Sequence, residues 1–394
     1  MRAISLCLLL LISAMALHAQ DKPKGEKQTD TFSNKPLIPE IKQKLLSNID
    51  VIANMQASQR NEFTDGDYTR GRFLMNQFRL EIKGKIHDRV YFRFRDRYTR
   101  NTVPQSEDNM SSSTDLAYIQ VLASKKVNFT IGKLCADWGG IEFDLNPIDI
   151  YQYADIVDNS DNFLLGMGMG WQASENHAFN FQALNSRTRT FKEIYGNIPG
   201  ITESKFPLAG VANWRGKMFD GKWQTIWSYS VFKEAKSTYM HYIALGNQLN
   251  FHRFNLAYDF KLSLEDLDRK TIVSNIVPDV GGVANAAQDV SYLSHWLKLD
   301  YKVLDNLNLS FVGFYDVARW KGNPDPNKDS KLRTAWGFIP VVEYFPFRDL
   351  NLKFFANYVG RVYRFTDYAK DKLGAKNFNT GVISIGFISP LHVL

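Results

Sequence analysis

Arginine recurs at every second position of one short segment, RVYFRFRDRYTR. Arg93, Arg95 and Arg97 share one parity, and apolar or aromatic residues take most of the other. Because alternate residues of a β-strand point to opposite faces, the three guanidinium groups are predicted to line one face of a strand. In a narrow, partly desolvated space such groups attract anions and hold carboxylate or phosphate through paired hydrogen bonds.

The preceding segment carries two further bases in the same kind of pattern. Arg79 and Lys83 share a parity with Glu81, so they are predicted to lie beside the arginines on a neighbouring strand. The five bases then form one candidate anion ladder: Arg79, Lys83, Arg93, Arg95 and Arg97. The alternative is an ordinary water-facing surface, on which neighbouring acids balance these charges.

Residues 135–162 contain seven acidic side chains and no Lys or Arg. The acids are Asp137, Glu142, Asp144, Asp149, Asp155, Asp158 and Asp161. A segment of this kind is most simply a solvated or hydrogen-bonded loop. The alternative is a Ca²⁺ site, since Ca²⁺ takes several oxygen ligands, but the spacing matches no EF-hand. No metal ligand and no other cofactor is predicted.

Glycine and proline indicate how this acidic loop is shaped. Gly139 and Gly140 predict a sharp inward turn, because glycine adopts positive φ without steric cost. Pro147 is predicted to stiffen the tip of the loop. The alternative is an ordinary turn at the surface.

The histidines beyond the first segment are scattered, and they give little support to an enzyme. They are His87, His177, His241, His252, His295 and His392, and the chain contains neither GxSxG nor HExxH. Hydrolysis needs a nucleophile or an activated water beside a positioned base. No catalytic residue is therefore predicted, and an outer-membrane hydrolase stays only as an alternative.

The first segment, MRAISLCLLLLISAMALHAQ, has the order of a secretory signal peptide. Arg2 begins it, an apolar run follows, and Ala19 precedes Gln20. The apolar run is shorter than the ~20 residues that span a bilayer. We predict a signal peptide at 1–19, a polar periplasmic linker at 20–47 and a barrel domain at 48–394. After cleavage one cysteine, Cys135, remains, which excludes an intramolecular disulfide.

From residue 48 onward, segments with period-two alternation repeat along the chain. In NFHRFNLAYDFKLSL the apolar side is formed by Phe254, Leu256, Tyr258, Phe260, Leu262 and Leu264, and polar residues lie between them. One face suits lipid and the other suits water, which is typical of transmembrane β-strands.

Sixteen strands are predicted from this alternation, an even number within the range of bacterial barrels. They begin near Asn48, Arg72, Arg89, Thr114, Lys126, Phe163, Ala178, Leu208, Lys222, Thr238, Arg253, Asp289, Leu307, Leu332, Leu350 and Phe378. The connectors IHDR, SKK, SENH, DG, NFH, LDN and FRD are short, and most of the others run ten residues or more. The predicted fold is an all-β, transmembrane antiparallel barrel, with the acidic loop between the fifth and sixth strands.

Two other protein classes are less consistent with the sequence. A soluble sandwich or propeller needs only its inward faces apolar, whereas here nearly every segment has an apolar face with Trp or Tyr near its ends. The net charge of +7 and the pI of about 9.1 suggest nucleic acid. The bases form no compact patch, however, and the chain is predicted to leave the cytoplasm, so no nucleic-acid partner is expected.

The segment GKLCADWGGIEFDLNPIDIYQYADIVDNSDNFLLG resembles the phosphate-selective porin O and P family, in the branch found in Bacteroidetes-type bacteria. The matching residues are Trp138, Gly139, Gly140, Phe143, Asn146 and Pro147, running into Tyr151 and Asp155. The resemblance implies a 16-stranded barrel, usually a homotrimer, whose loop after the fifth strand folds inward and narrows the channel. It carries over no phosphate-binding motif residue by residue.

The sequence therefore predicts a Gram-negative outer-membrane porin for passive diffusion of small hydrophilic solutes, with a preference for anions such as phosphate. Its expected partners are the lipid bilayer, the solutes and two further copies of the chain. The constriction is assigned to Gly139, Gly140, Glu142, Asp144, Asn146, Pro147, Asp149 and Asp155, which are expected to face the basic ladder and set a transverse field. A structural or adhesive barrel acting through its long loops is the other alternative.

Overall fold

The computed structural model describes residues 48–277 and 286–393 of the 394-residue chain. The predicted signal peptide and the predicted linker lie outside the described residues. No helix within the described ranges is long and apolar enough to cross a membrane.

Sixteen β-strands form the framework of the described chain. They are β1 (Ile49–Thr64), β2 (Asp67–His87), β3 (Val90–Arg97), β4 (Thr114–Leu122), β5 (Val127–Cys135), β6 (Phe163–Ser174), β7 (His177–Asn185), β8 (Leu208–Met218), β9 (Trp223–Ala235), β10 (Thr238–Asn250), β11 (Phe254–Leu267), β12 (Gln288–Leu304), β13 (Leu307–Trp320), β14 (Lys331–Tyr344), β15 (Lys353–Phe365) and β16 (Phe378–His392). Short helices lie in the loops: α1 (Ile141–Asp144), α2 (Asp155–Asp158), α3 (Phe191–Tyr195) and α4 (Asp367–Leu373), with a 3₁₀ turn at Pro147–Asp149.

Every strand pairs antiparallel with its sequence neighbour, and β1 pairs with β16, which closes the barrel. Closure removes the free sheet edges, so the strands satisfy their backbone hydrogen bonds among themselves, as a bilayer requires. The predicted fold, an antiparallel barrel of sixteen strands, is confirmed.

Two predicted strand starts differ from the structure by more than one residue. β2 begins at Asp67 instead of near Arg72, because Asp65 and Gly66 form a two-residue turn with φ of 50° and 95°. Turns of this kind match the twist of the flanking strands, so the hairpin starts at once. β15 begins at Lys353, three residues after the predicted Leu350.

The two rims of the barrel differ in loop length, as predicted. Six of the seven connections on one rim are turns of two to four residues and the seventh, 345–352, has eight, whereas six of the eight on the other rim are long. The long ones are 98–113, 136–162, 186–207, 268–287, 321–330 and 366–377. The two short exceptions on that rim are the turns at 65–66 and 236–237.

The faces of β11 follow the predicted alternation, but its polar face is not open to water. Tyr258 and Leu264 are exposed on the outside, whereas Asp259, Lys261 and Ser263 point inward and are completely buried. The expectation of a solvated inner face is therefore wrong for this strand. The reason is that the acidic loop folds inward and covers it.

Two apolar clusters show where the loop lies inside the barrel. One joins Trp138 and Ile156 of the loop to Phe232 and Tyr242 on β9 and β10, and Ala369 of α4 also packs there. The other gathers further loop residues and wall residues, namely Ile141, Ile148, Ala154, Trp296, Val312, Ile339 and Phe355. The loop is thus packed against the wall formed by β9–β15.

Barrel closure depends on one close approach that we expect to be sensitive to substitution. A Cβ at Gly386 on β16 would lie 2.1 Å from the backbone oxygen of Ala57 on β1. Gly386→Val is expected to abolish the heat-modifiable mobility of the folded barrel in electrophoresis. In the control Gly210→Val the new Cβ meets nothing nearer than 3.7 Å, so folding should be retained. Normal folding of Gly386→Val would contradict the closing register.

Candidate pore constriction

The acidic loop enters the barrel through a buried glycine pair. Gly139 and Gly140 have φ of 79° and 91°, in the region that favours glycine. A Cβ on Gly139 would lie 2.5 Å from Ser228 Oγ, and one on Gly140 would lie 2.8 Å from Asp259 Oδ2. Both the backbone conformation and the lack of space therefore require glycine here, and the turn is buried inside the barrel.

Trp138 fixes the loop immediately before this turn. Its ring stacks on Phe232 with 4.8 Å between centroids and meets Tyr242 edge to face at 5.1 Å. Ser228 Oγ donates a hydrogen bond to the Trp138 carbonyl. The indole is 2% exposed, so the contact works as an apolar anchor.

A completely buried ion cluster fixes α1 to β11. Lys261 Nζ contacts Glu142 and lies 3.0 Å from Asp259 Oδ2. The two Asp259 oxygens accept hydrogen bonds from the backbone N–H of Ile141 and Glu142, at 2.7 and 2.9 Å. All three charged side chains are fully buried, so removing one of them would leave an uncompensated buried charge.

A second ion cluster fixes α2 to the opposite part of the same wall. Arg361 Nη2 lies 2.7 Å from Asp155 Oδ1 and 3.1 Å from Asp316 Oδ2, and Arg333 also contacts Asp155. The backbone N–H of Asp155 donates to Asp316 Oδ1 at 3.2 Å. Near the loop tip, Lys353 Nζ lies 2.8 Å from Asp149 Oδ1.

The remaining loop acids are also largely partnered. Arg215 Nη2 on β8 bridges Asp137 and Asp144, at 2.9 and 2.7 Å. Asp158 accepts a hydrogen bond from Gln152, and Asp161 accepts one from Thr188. Burial raises the pKa of the Asp137 carboxyl against the opposing charge of Arg215.

The expected transverse field therefore needs correction. The loop does not direct seven free carboxylates at the basic ladder, because wall bases pair with Asp137, Glu142, Asp144, Asp149 and Asp155. The pairing is not full neutralisation, because Arg215 is shared by Asp137 and Asp144. Within the described residues, no three His, Cys, Asp or Glu side chains gather as a metal site. The partners lie on strands distant in sequence, so composition of the loop alone did not reveal them.

The five bases of the predicted ladder lie on β2 and β3 in three rungs. Arg79 is opposite Arg97, Glu81 is opposite Arg95, and Lys83 is opposite Arg93. Alternate residues on a strand are ~6.8 Å apart, so the rungs climb the wall in steps of that size. All five bases line one cavity of about 1100 Å³.

Asp115 on β4 pairs with three of the five bases of the ladder. The alternation of the sequence did not predict this role for Asp115. Its fully buried carboxylate lies 3.3 Å from Arg79 Nη1, 3.3 Å from Arg95 Nε and 2.8 Å from Arg97 Nη2. The register of β3 and β4 shifts between Arg95 and Asp96, so simple parity did not place Asp115 on this face.

The ladder keeps an excess of positive charge. One carboxylate, Asp115, serves three guanidinium groups, which leaves two positive charges unbalanced. Arg93 is paired with Glu81 at 2.9 Å. Lys83 forms no ion pair with any residue of the described ranges.

The loop supplies the other side of the same cavity. Of the predicted constriction residues, Asp144, Asn146 and Pro147 line it, whereas Gly139, Gly140, Glu142, Asp149 and Asp155 hold the loop in place instead. Further lining residues not singled out from the sequence are Arg100, Gln120, Asn128, Tyr153, Asn180 and Arg215. Burial raises the pKa of the Tyr153 hydroxyl, with the Arg79 and Arg97 charges opposing, so the phenol is neutral at the constriction.

Three of the described histidines pair with aromatic residues. His241 Nδ1 lies 2.7 Å from the Tyr229 hydroxyl, His295 Nδ1 lies 2.8 Å from the Tyr258 hydroxyl, and His177 Nδ1 accepts from the Trp214 indole at 3.3 Å. Tyr229 and Tyr258 belong to the exposed outer face of the barrel. These pairs have the character of an interfacial aromatic belt.

One protein family matches most of the chain. The profile of the family described as phosphate-selective porin O and P matches residues 49–388. No curated protein matches the chain significantly by sequence.

Solved outer-membrane channels share the fold at low sequence identity. The channel DcaP of Acinetobacter baumannii has a TM-score of 0.58 at 10% identity, covering 86% of this chain and 96% of its own. OprB of Pseudomonas putida has a TM-score of 0.58 at 11% identity, with coverages of 92% and 100%. OmpF of Salmonella typhi has a TM-score of 0.56 at 12% identity, with coverages of 86% and 98%.

Lys261→Met should release the loop from the wall. The substitution leaves Glu142 and Asp259 buried without a counter-charge, and breaking such a pair costs about 3–5 kcal/mol. We expect lower resistance to urea and a larger, noisier single-channel conductance. The control Lys298→Met removes a partly exposed pair with Asp300, which contributes less than ~1 kcal/mol. Unchanged conductance in Lys261→Met would show that the loop has other sufficient anchors.

Glu193 at α3 should make one contact between outer loops sensitive to strong acid. Hydrogen bonds from Ser106 and from the Thr190 hydroxyl and N–H lower the pKa of Glu193 to about 2. Because the folded pKa is lowered, the contact is at full strength above the ordinary glutamate range and is lost as pH falls towards 2. Hydrogen exchange of 98–113, measured relative to the intrinsic exchange rate at each pH, should stay slow at pH 4 and become fast near pH 2. In Glu193→Gln it should be fast at neutral pH, and a Glu193 titration near ~4.3 would refute the assignment.

Proposed function

Because the chain belongs to the phosphate-selective porin O and P family and is an outer-membrane porin, we propose that its pore prefers small anions, phosphate among them. The observation that carries the proposal is the ladder on β2 and β3. There the single carboxylate of Asp115 pairs with Arg79, Arg95 and Arg97, so positive charge is in excess. Solutes that pass the loop meet this surplus of positive charge.

The pairing of the loop acids supports the same preference. A free acidic loop would attract cations and cancel the field of the ladder. Here Lys261, Arg361 and Lys353 pair with Glu142, Asp155 and Asp149 at the far wall. This lowers the negative charge of the loop without cancelling it, because Lys261 is shared with Asp259 and Lys353 with Glu343. Four acids of the loop still line the cavity, so the proposed anion preference is moderate and not absolute; they are Asp137, Asp144, Asp158 and Asp161.

Residues with exposed donor groups are proposed to bind the anion in succession as it moves through the pore. The Arg93 side chain is 32% exposed and that of Arg97 is 19% exposed, whereas Arg79 is only 3% exposed. Arg93, Arg97 and Lys83 therefore make the direct contacts, and Arg79 strengthens the field from behind. Weak contacts at several successive sites favour conduction, because a single tight site would retain the ion.

Reversal potentials in a planar bilayer test this proposal. In a KCl gradient the protein should reverse on the anion-selective side. Replacing Lys83, Arg93 and Arg97 together by Gln should abolish that preference or turn it towards cations, since Glu81 and Asp115 keep their charge. The single control Lys217→Gln removes an exposed charge outside the cavity and should change nothing.

Phosphate is tested in the same recording. Millimolar phosphate should reduce the chloride current, and the combined change Arg93→Ala, Arg95→Ala and Arg97→Ala should remove the block. A cation-selective reversal of the unmodified protein would sink the proposal, and a block that survives the triple change would place phosphate elsewhere.

We further propose how the chain is processed and assembled. Residues 1–19 are removed as a signal peptide, residues 20–47 form a periplasmic linker, and three barrels associate, as they do in the trimer form of OmpT from Vibrio cholerae. We also propose that the chain belongs to the Bacteroidetes-type branch of the family. Conductance steps that occur in groups of three would support the trimer.

A further inference from the structure

Amides line the part of the cavity wall that follows the basic ladder around the barrel. On β4 to β7 the polar lining side chains include Gln120, Asn128, Thr130, Asn180 and Gln182, and none of these is charged; the apolar side chains of Leu116, Leu134, Phe163 and Phe181 line the same wall. An inorganic anion needs only the donors of the ladder, so this amide wall requires a separate explanation.

The register arranges these groups in two neighbouring rows. One row runs Gln120, Thr130, Gly168, Gln182, and the next runs Asn128, Gly170, Asn180. Gly168 has no side chain, whereas the Asn128 side chain lies over Gly170, so β6 forms the open floor of a trough only at Gly168, between Thr130 and Gln182. A Cβ on Gly168 would meet its nearest atom, Gln182 Cγ, only at 3.5 Å, which shows that this floor has room above it.

The trough begins one strand away from the ladder. Arg93 on β3 is opposite Tyr118 on β4, and Gln120 is the next residue of β4 on the same face. Adjacent strands are ~4.8 Å apart. A single organic molecule can therefore place one end on Arg93 and another part against Gln120.

The amides leave groups for a solute of mixed hydrogen-bonding character. Gln120 Nε2 donates to Asn128 Oδ1 at 3.0 Å, so Gln120 Oε1 and Asn128 Nδ2 remain without partners among the described residues. Asn162 Oδ1 is buried, belongs to a residue lining the cavity, and accepts no hydrogen bond there. Carbonyl oxygens need donors, which inorganic anions largely lack and hydroxyl groups supply.

We infer that the pore favours polyhydroxylated organic anions, in which one carboxylate or phosphate group is attached to a sugar-like polyol. The anionic group lies on the ladder, and the hydroxyls bond to the unpartnered amide groups of Gln120 and Asn128 and to Asp144 and Asp158 of the loop. Gln182 is already bonded to the loop backbone at Cys135 and Asp137. The cavity of about 1100 Å³ exceeds what phosphate needs and is of the size of small-molecule sites, ~300–1,000 Å³. This inference rests on the proposed anion preference.

Two monocarboxylates with one six-membered ring each test the inference, one with hydroxyl groups and a ring oxygen and the other with neither. Glucuronate and cyclohexanecarboxylate carry the same charge, and their permeability relative to chloride is obtained from bi-ionic reversal potentials. We expect glucuronate to be favoured by about fivefold, the effect of roughly one net hydrogen bond. Glucose 6-phosphate in the same arrangement tells whether phosphate can replace carboxylate as the anionic group.

The variant Gln120→Met with Asn128→Leu removes the amide groups at nearly constant volume. It should abolish the preference for glucuronate while the chloride over potassium selectivity stays unchanged. The matched control is Gln59→Met with Asn61→Leu, a hydrogen-bonded amide pair on β1 that does not line the cavity, and it should keep both properties.

The outcomes separate this inference from the anion preference on which it rests. Equal permeability of glucuronate and cyclohexanecarboxylate, with anion selectivity intact, overturns the inference alone. A loss of the glucuronate preference in the control pair as well would also overturn it, because the effect would not belong to the trough. Absence of anion selectivity in the unmodified protein overturns both.

Discussion

Lys261 lies completely buried between two carboxylates, and the pore depends on this cluster. Taken alone, an ammonium group inside a protein is costly, so the lysine requires Glu142 and Asp259 beside it. Asp259 in turn accepts the backbone N–H groups of Ile141 and Glu142. One wall position thus fixes both the charge and the backbone of the loop where it turns inward at Gly140. Without it the loop would lose the anchor of its inward turn, and only the contacts of Trp138 and of the Asp155 cluster would hold the loop in the opening.

The anchoring of the loop also bears on the proposed anion preference. Acids that are paired at the far wall contribute little across the cavity, whereas the ladder keeps two charges beyond what Asp115 neutralises. The two sides of the opening therefore differ in kind. One is a rigid basic wall, and the other is a loop surface with a few exposed acids and a neutral phenol at Tyr153. Selectivity follows from which charges are already paired, and the formal composition of either side is a poor guide to it.

Much of the barrel was predictable because alternation is a local property. The outward residues of β11, the sixteen strands and the ladder on β2 and β3 all follow from parity. Asp115 escaped because a register shift between Arg95 and Asp96 interrupts that parity. The partners of the loop acids were not predicted, because barrel closure alone brings them together. The amide trough was not predicted either, because it depends on the register of four strands. The local alternation of the sequence thus predicts the strands of the barrel wall. The contacts inside the barrel depend on residues that are distant in sequence.

The distances along the chain between the loop and its anchors bear on the order of folding. Glu142 and Lys261 are 119 residues apart in sequence, and Asp155 and Arg361 are 206 apart. Contacts of such high sequence separation form only after the intervening chain is arranged, because the entropy of closing the long loop must first be overcome. The acidic loop is made early, between β5 and β6, yet its final partners are on β11 and β15. The opening consequently acquires its width last, when the barrel has nearly closed around the loop.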